Sequence, residues 1–588
     1  MISIARHTRS PNASRPRVAI ESSINFRRMS RLTVASLLVL LLVAWLPQSA
    51  SSQSLDLPNQ VASWPLTENA QDKVSSRSLQ MRGNVAQATK GVICEGTDSY
   101  LESGAGEIDF GKADFTITLR FQIPYQTAYP TGDLISQYDA ALHRGFHLSV
   151  KSATGVTSCS PNHRHLQFGI DDDRWSRWGD MGRPGEAIMT FCLANLEGEL
   201  FAGTCEPGKT QTGKAYRFSK ENHQWIDLDA PVACNAITAM AVHDGKLYIG
   251  TGKYRLAGSS LPESENLELG GEVLRYEGNN QWTSCGRLPG TEAVAALVVY
   301  RDHLYASSLY KPAGFFRYEG GDRWTALPLP ALATDDTTPP TDQRVEAMAI
   351  HAGKLYASSY DGGNVFQWDE HQWQHVGKIE PNTQTYSFAT LEDRLLVGTW
   401  PSGRVYQKGQ DHAWVDLGRL GEELEVMGMM VHNGTVVAGS LPSGEVYRYR
   451  SNQRWEKLAT LDSTPDVRYR RVWTMAEWDG QLVASTLPSG KVFAAAAGTA
   501  VQAAHAIDDR WHHVAAVRRG SDLELWMDGR FVARKHQPDL STYDLSSQAI
   551  LKIGSGRHGT LQGNIGQVQI FSRALSPEQL EGHTNLGR

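Results

Sequence analysis

Between Ile188 and Phe493 one phrase recurs: an apolar strand, a tight polar turn, a second strand ending in small residues, then a Gly-x-Val-Tyr-like segment and a Trp. Its clearest copies are AMAVHDGKLYIGT, AMAIHAGKLYASS and MGMMVHNGTVVAGS. The Gly-led segments lie at 213–218, 271–276, 314–318, 363–368, 403–408, 444–449 and 490–495, which makes seven copies. Six of them are followed by Trp225, Trp282, Trp324, Trp373, Trp414 and Trp455, spaced by 57, 42, 49, 41 and 41 residues. One four-stranded sheet cannot bury both of its faces, so copies at such a period must stack on one another. Stacking around an axis predicts a seven-bladed β-propeller over 186–499, within an all-β chain.

Five residues before the first-turn Gly or its equivalent stand Leu193, Met240, Leu297, Met348, Phe388, Met429 and Met475. Their fixed place in a repeated inner strand predicts core between blades rather than a redox or metal role for the methionines. The recurring Trp is read in the same way, as a blade-packing residue.

On either side of the repeat lie 55–185 and 500–588, each rich in alternating strands and neither long enough to look complete. The first carries GTDSYLES (96–103) and ADFTITLRFQI (113–123). The second carries RWHHVAAVRRGSDLELWMDGRFV (510–532) and LKIGSGRHGTLQGNIGQVQIFSRALSPEQL (551–580). In their order these phrases resemble the laminin-G-like, concanavalin A-like lectin/glucanase jelly roll. The resemblance implies two packed antiparallel sheets, built here from two halves of the chain. The propeller, of kelch-like or sialidase-like type, is then an insertion in a β-sandwich, and Trp178 and Arg510 are expected to meet as the two ends of the split loop. Insertion is feasible because the ends of a closed ring lie close together.

A net charge of −6 and a pI near 6.4 give no general attraction to polyanions, so nucleic acid is not an expected partner. Basic residues from Arg6 to Arg31 precede the apolar run from Leu32 to Leu46, with Ala50, Ser51 and Ser52 after it. This pattern reads as a signal peptide over 1–52, for an exported protein with no membrane contact beyond the leader. Six cysteines in an exported chain can pair, and no C-x-x-C suggests zinc. The end of a second strand and the start of the next first strand share one end of a propeller, which predicts a Cys205–Cys234 disulfide. Cys94 and Cys159 form a weaker second pair, and Cys192 reads as core.

The same end of the propeller gathers the loops after each second strand and before each first strand. These carry Tyr310, Lys311, Arg344, Tyr360, Asp361, Trp400, Glu425, Arg468, Arg470 and Arg471. Aromatic faces stack on pyranose rings, and arginines and carboxylates bond hydroxyls or acidic groups. Tyr310, Arg344, Tyr360, Trp400, Glu425 and Arg470 are therefore the candidate binding residues for a glycan or polysaccharide. The lectin resemblance implies a calcium ion as well, with Asp98 as its candidate ligand; the run Asp171, Asp172 and Asp173 reads as a solvated loop.

Two other functions fit the same residues. An exported carbohydrate-active enzyme, a sialidase-like glycosidase or a polysaccharide lyase, would draw on Arg344, Tyr386, Glu425 and Arg470. The stretch 359–366 is a near match to a sialidase Asp box, but it lacks the Thr and falls in the wrong hairpin. A scaffold binding other extracellular proteins is the third possibility.

Overall fold

The computed structural model describes residues 59–124, 129, 131–152, 164–333 and 339–583; the expected leader and Cys159 lie outside these. The chain is all-β, with a two-sheet sandwich and a propeller-like ring of sheets.

Alternation builds the sandwich. In Phe115–Gln122 the side chains of Phe115, Ile117, Leu119 and Phe121 are buried on one face, while Thr116, on the other, donates its hydroxyl to the Arg573 carbonyl at 2.9 Å. This strand lies between two from the far end of the chain, Gln562–Phe571 and His512–Arg519. The facing sheet runs Gln80–Arg82, Tyr100–Glu102, Lys552–Ile553, Gly132–Asp139, Arg144–Lys151, His165–Trp175, Ala497–Gln502. Between the sheets Phe110 meets Phe115 and Phe146 edge to face, with centroids 4.7 and 4.8 Å apart. Such aromatic pairs add about 0.5–1.5 kcal/mol each beyond the area they bury.

The chain leaves this domain along His165–Trp175 and re-enters along Ala497–Gln502. The two strands are antiparallel neighbours, with Ala497 opposite Trp175 and Thr499 opposite Ile170. The paired ends of the split are thus Trp175 and Ala497, not Trp178 and Arg510. Trp178 has already moved on to pack against the propeller core, and Arg510 lies beyond the returning strand.

The ring starts and ends earlier than the repeat suggests. Gly179–Asp180 pairs with Val492–Ala495 as the outer strand of the last sheet, ahead of the expected start at 186, and Ala497 is back in the sandwich before 500. The chain's first propeller strand therefore completes its last sheet. This explains why the seventh Gly-led segment has no Trp after it: its fourth strand comes from elsewhere in the sequence.

Where seven separate blades are expected, the described residues of the ring form five separate four-stranded sheets, one of eight strands and a small pair of Ala331–Leu332 with Thr341–Asp342. The eight-stranded sheet holds the first two repeats, Met189–Asp227 and Ala236–Arg287, joined where Cys205 pairs with Ala236. A bond from Glu206 N–H to the Asn235 carbonyl at 2.8 Å continues that join.

Packing between repeats follows a rule. The seven inner-strand positions from Leu193 to Met475 are all buried. The indole N–H of each recurring Trp reaches back to a carbonyl of the preceding repeat. Trp282 donates to Leu228 at 2.9 Å, Trp324 to Cys285 at 2.8 Å, Trp373 to Pro328 at 3.1 Å, Trp414 to Val376 at 3.2 Å and Trp455 to Leu417 at 3.0 Å. Trp225 donates to Met181 at 2.9 Å, beside the strand that closes the ring. A half-buried aromatic body with one satisfied polar tip suits this clasp.

The expected Cys205–Cys234 disulfide is absent: Cys94, Cys192, Cys205, Cys234 and Cys285 are free and buried. Cys205 and Cys234 do share one end of adjacent repeats, as the topology requires. The ladder there is closed by backbone bonds instead, and the Cys234 thiol turns to the Ala236 carbonyl at 3.5 Å.

Candidate functional site

One buried cluster draws Met189, Phe191, Ala236, Ala293, Ala295, Met427 and Trp473 from inner strands of repeats that are not all neighbours around the ring. Such residues meet at the axis. Tyr310 and Tyr360 pack onto the same cluster, so the loops that carry them stand at the mouth of the ring.

From this base the mouth can be followed residue by residue. Arg344 is spent on Asp361: its guanidinium bonds the carboxylate at 2.9 and 3.2 Å, and its backbone N–H donates to the same group at 2.8 Å. That fork holds the Arg344 charge 5.4 Å from the Tyr360 ring. Tyr360 meets Tyr386 edge to face at 5.1 Å, and the Tyr386 hydroxyl donates to Gln384 Oε1. Tyr310 accepts the Arg255 N–H at 2.9 Å, with that guanidinium 4.2 Å over its ring. Trp400 stands edge to face with Tyr469 at 6.4 Å.

Two carboxyls lie beneath these rings. Glu425 is 2 % exposed, and burial raises its pKa. Glu346, which no sequence pattern singled out, is 4 % exposed, and burial pushes its carboxyl up to about 8, with the Glu425 charge adding to the rise. Its Oε2 is buried with no hydrogen-bond partner. At neutral pH Glu346 therefore holds its proton, the condition a carboxyl needs to donate one.

Arg471, not Arg470, faces Glu425. The Arg470 guanidinium donates to the Thr464 carbonyl at 2.6 Å, and its backbone N–H goes to Pro442 at 2.9 Å. Arg471 Nε stands 3.7 Å from Glu425, an ion pair outside hydrogen-bond range, with the rings of Tyr469 and Trp473 5.6 and 5.9 Å away. Successive residues of an extended strand point to opposite sides, so a register of one residue decides which arginine faces the axis.

Asp98 sits exposed in a left-handed turn at φ 63°. Calcium takes six to eight oxygens. Among the described residues Asp98 belongs to no group of three carboxylate, His or Cys ligands, so no chemistry is routed through calcium here. The aspartate run is not a solvated loop. Asp171 is buried against the Tyr138 hydroxyl at 3.1 Å and pushed up to about 7 by burial. Asp172 pairs with Arg144 at 2.9 Å and Asp173 with Arg448 at 2.9 Å.

A second buried constellation, Asp133, His147 and His558, brings its ligand-type atoms within 4.8 Å of one another. The surrounding bonds make it a proton network instead of a metal centre. His558 Nε2 accepts the Gly434 N–H at 3.2 Å, so its proton sits on Nδ1 and goes to Asp133 at 2.9 Å. A metal on Nδ1 would need a protonated Nε2, facing another N–H.

Comparison with known proteins gives a match over 451–581 to the family model described as the concanavalin A-like lectin/glucanases superfamily. The matched stretch begins in propeller strands and runs through the second half of the sandwich. No curated protein matches the chain. Among solved structures, virginiamycin B lyase from Staphylococcus aureus is 8% identical, with a TM-score of 0.40, covering 55% of this chain and 99% of that one. The WD40 repeats of RRP9 are 14% identical at 0.37, covering 54% and 97%. YCF48 bound to D1 peptide is 11% identical at 0.36, covering 55% and 95%. Similarity this low carries no argument about ligand or activity.

Proposed function

We propose that this is an exported glycan-binding protein that takes its ligand at the mouth of the propeller ring. In this reading the eight-stranded sheet counts as two blades sharing an edge, which makes the ring seven-bladed, and the sandwich is a lectin-like host domain. The observation that carries the reading is the set of half-buried rings Tyr310, Tyr360, Trp400 and Tyr469 at one end of the ring, together with two buried carboxyls and Arg471. Aromatic faces give sugar rings a low-entropy apolar platform, and the polar groups beneath read hydroxyls. A glycan array probed with and without calcium tests this. We expect binding that falls at least about tenfold on Tyr360→Ala, the cost of one well-packed aromatic contact. Absence of binding to any glycan overturns the reading.

One observation favours catalysis as a second reading: Glu346 is kept protonated beside Glu425, a pairing of acid and base that glycoside cleavage uses. Release of reducing ends or unsaturated products from bound polysaccharide, lost on Glu346→Gln, would establish it.

A further inference from the structure

The arginines of the mouth differ in how many donors they have left. Arg344 is closed by its fork onto Asp361; Arg470, through Nε to the Thr464 carbonyl, and Arg255, paired with Glu292, use only part of their donors but are exposed enough for water to meet the rest. Arg471 differs. Its side chain is 8 % exposed, yet Nε and Nη1 have no hydrogen-bond partner, and Glu425 stands off at 3.7 Å. A guanidinium is always charged and presents its donors in a flat fork. Burying that charge with donors unmet is costly, and a protein retains such a group where something else completes it.

We propose that the glycan bound here is an acidic one, and that Arg471 receives its carboxylate. This rests on the glycan reading above and adds the substrate class. A carboxylate is planar and offers two oxygens in the spacing of the guanidinium fork. Tyr469, half-buried beside the guanidinium, leaves the adjoining sugar ring an aromatic face to lie against. The class is thus a sugar with a ring-borne carboxylate, of the uronic or sialic type, rather than a neutral glycan.

Two matched pairs of probes separate charge from sugar shape: an oligogalacturonate with its methyl ester, and sialyllactose with lactose. Titration calorimetry of the intact protein should show at least one acid bound about tenfold or more tighter than its neutral partner, the scale of one charge-assisted hydrogen bond. Arg471→Gln should abolish that preference, and Arg470→Gln should leave it in place. The acid-to-neutral comparison needs no variant, so it stands even if Arg471→Gln fails to fold. Equal affinity within both pairs, or a preference that survives in a folded Arg471→Gln protein, overturns the inference and leaves the glycan reading intact. Binding to none of the four overturns it too, and the array then decides whether the glycan reading falls with it.

Discussion

His147 Nε2 lies 2.6 Å from Asn433 Oδ1, and this bond fastens a sandwich strand to the hairpin turn between Glu425–His432 and Thr435–Leu441 of the propeller. Asn433 is fully used: its amide also donates to the carbonyls of Ile170 at 3.0 Å and Ala497 at 2.6 Å. Those two carbonyls belong to the strands by which the chain leaves and re-enters the host domain. Its φ of 43° is a left-handed conformation that Asn tolerates better than most residues. Close by, Lys151 of the sandwich pairs with Glu477 of the propeller at 3.0 Å, both buried. The insertion is therefore locked to its host by a polar seam at the point where the chain crosses.

Asn433→Ala strips partners from three buried groups and places at positive φ an alanine, which tolerates that region less well than Asn. At about 1–3 kcal/mol for each orphaned group, we expect a loss of about 3–5 kcal/mol in urea unfolding. An unchanged midpoint would mean that the seam is held elsewhere.

Glu346 sets a pH dependence of known sign. Its folded-state pKa, about 8, lies above the ordinary 4.5. Its proton therefore contributes stability that is complete below about pH 4.5 and is lost as pH rises through 8. Glu346→Gln removes this dependence. The melting temperature of the variant should gain on that of the parent as pH goes from 5 to 8, and a constant difference would show that the carboxyl titrates normally.

Met429 is fully buried and packs with Leu396, Val405, Val426 and Ala438 between two sheets. Met429→Ala leaves a cavity there, and a loss of about 2–5 kcal/mol is expected. Thermal unfolding unaltered by the substitution would place the inner strand elsewhere.

The thiols give a direct chemical test. Burial raises the pKa of Cys94 to about 12 and raises those of Cys192, Cys205, Cys234 and Cys285 as well. Reagents attack the thiolate, so these five should resist a thiol reagent in the folded protein and react once it is unfolded. Peptide mapping without reduction should recover Cys205 and Cys234 unbridged.

The sequence by itself determined what is local and repeated. A strand shows alternation, a hairpin shows its turn residues, and a sheet that must stack shows the same apolar and Trp positions in every copy. From this the all-β class, the ring, the buried methionines, the packing role of Trp225 to Trp455 and the two-part sandwich were all legible. Only the tertiary structure decided what depends on where different copies converge. That Gly179–Asp180 closes the last sheet is a pairing across more than three hundred residues, and two residues leave no periodic signal. Whether Arg470 or Arg471 faces the axis turns on a register of one residue. Glu346 and Glu425 become an acidic pair because the ring brings separate repeats to one axis, where burial then raises both pKa values. The seam residues His147, Asn433 and His558 are lone polar side chains in unrelated segments. Their meaning lies in the partners that folding brings to them, which no spacing along the chain encodes.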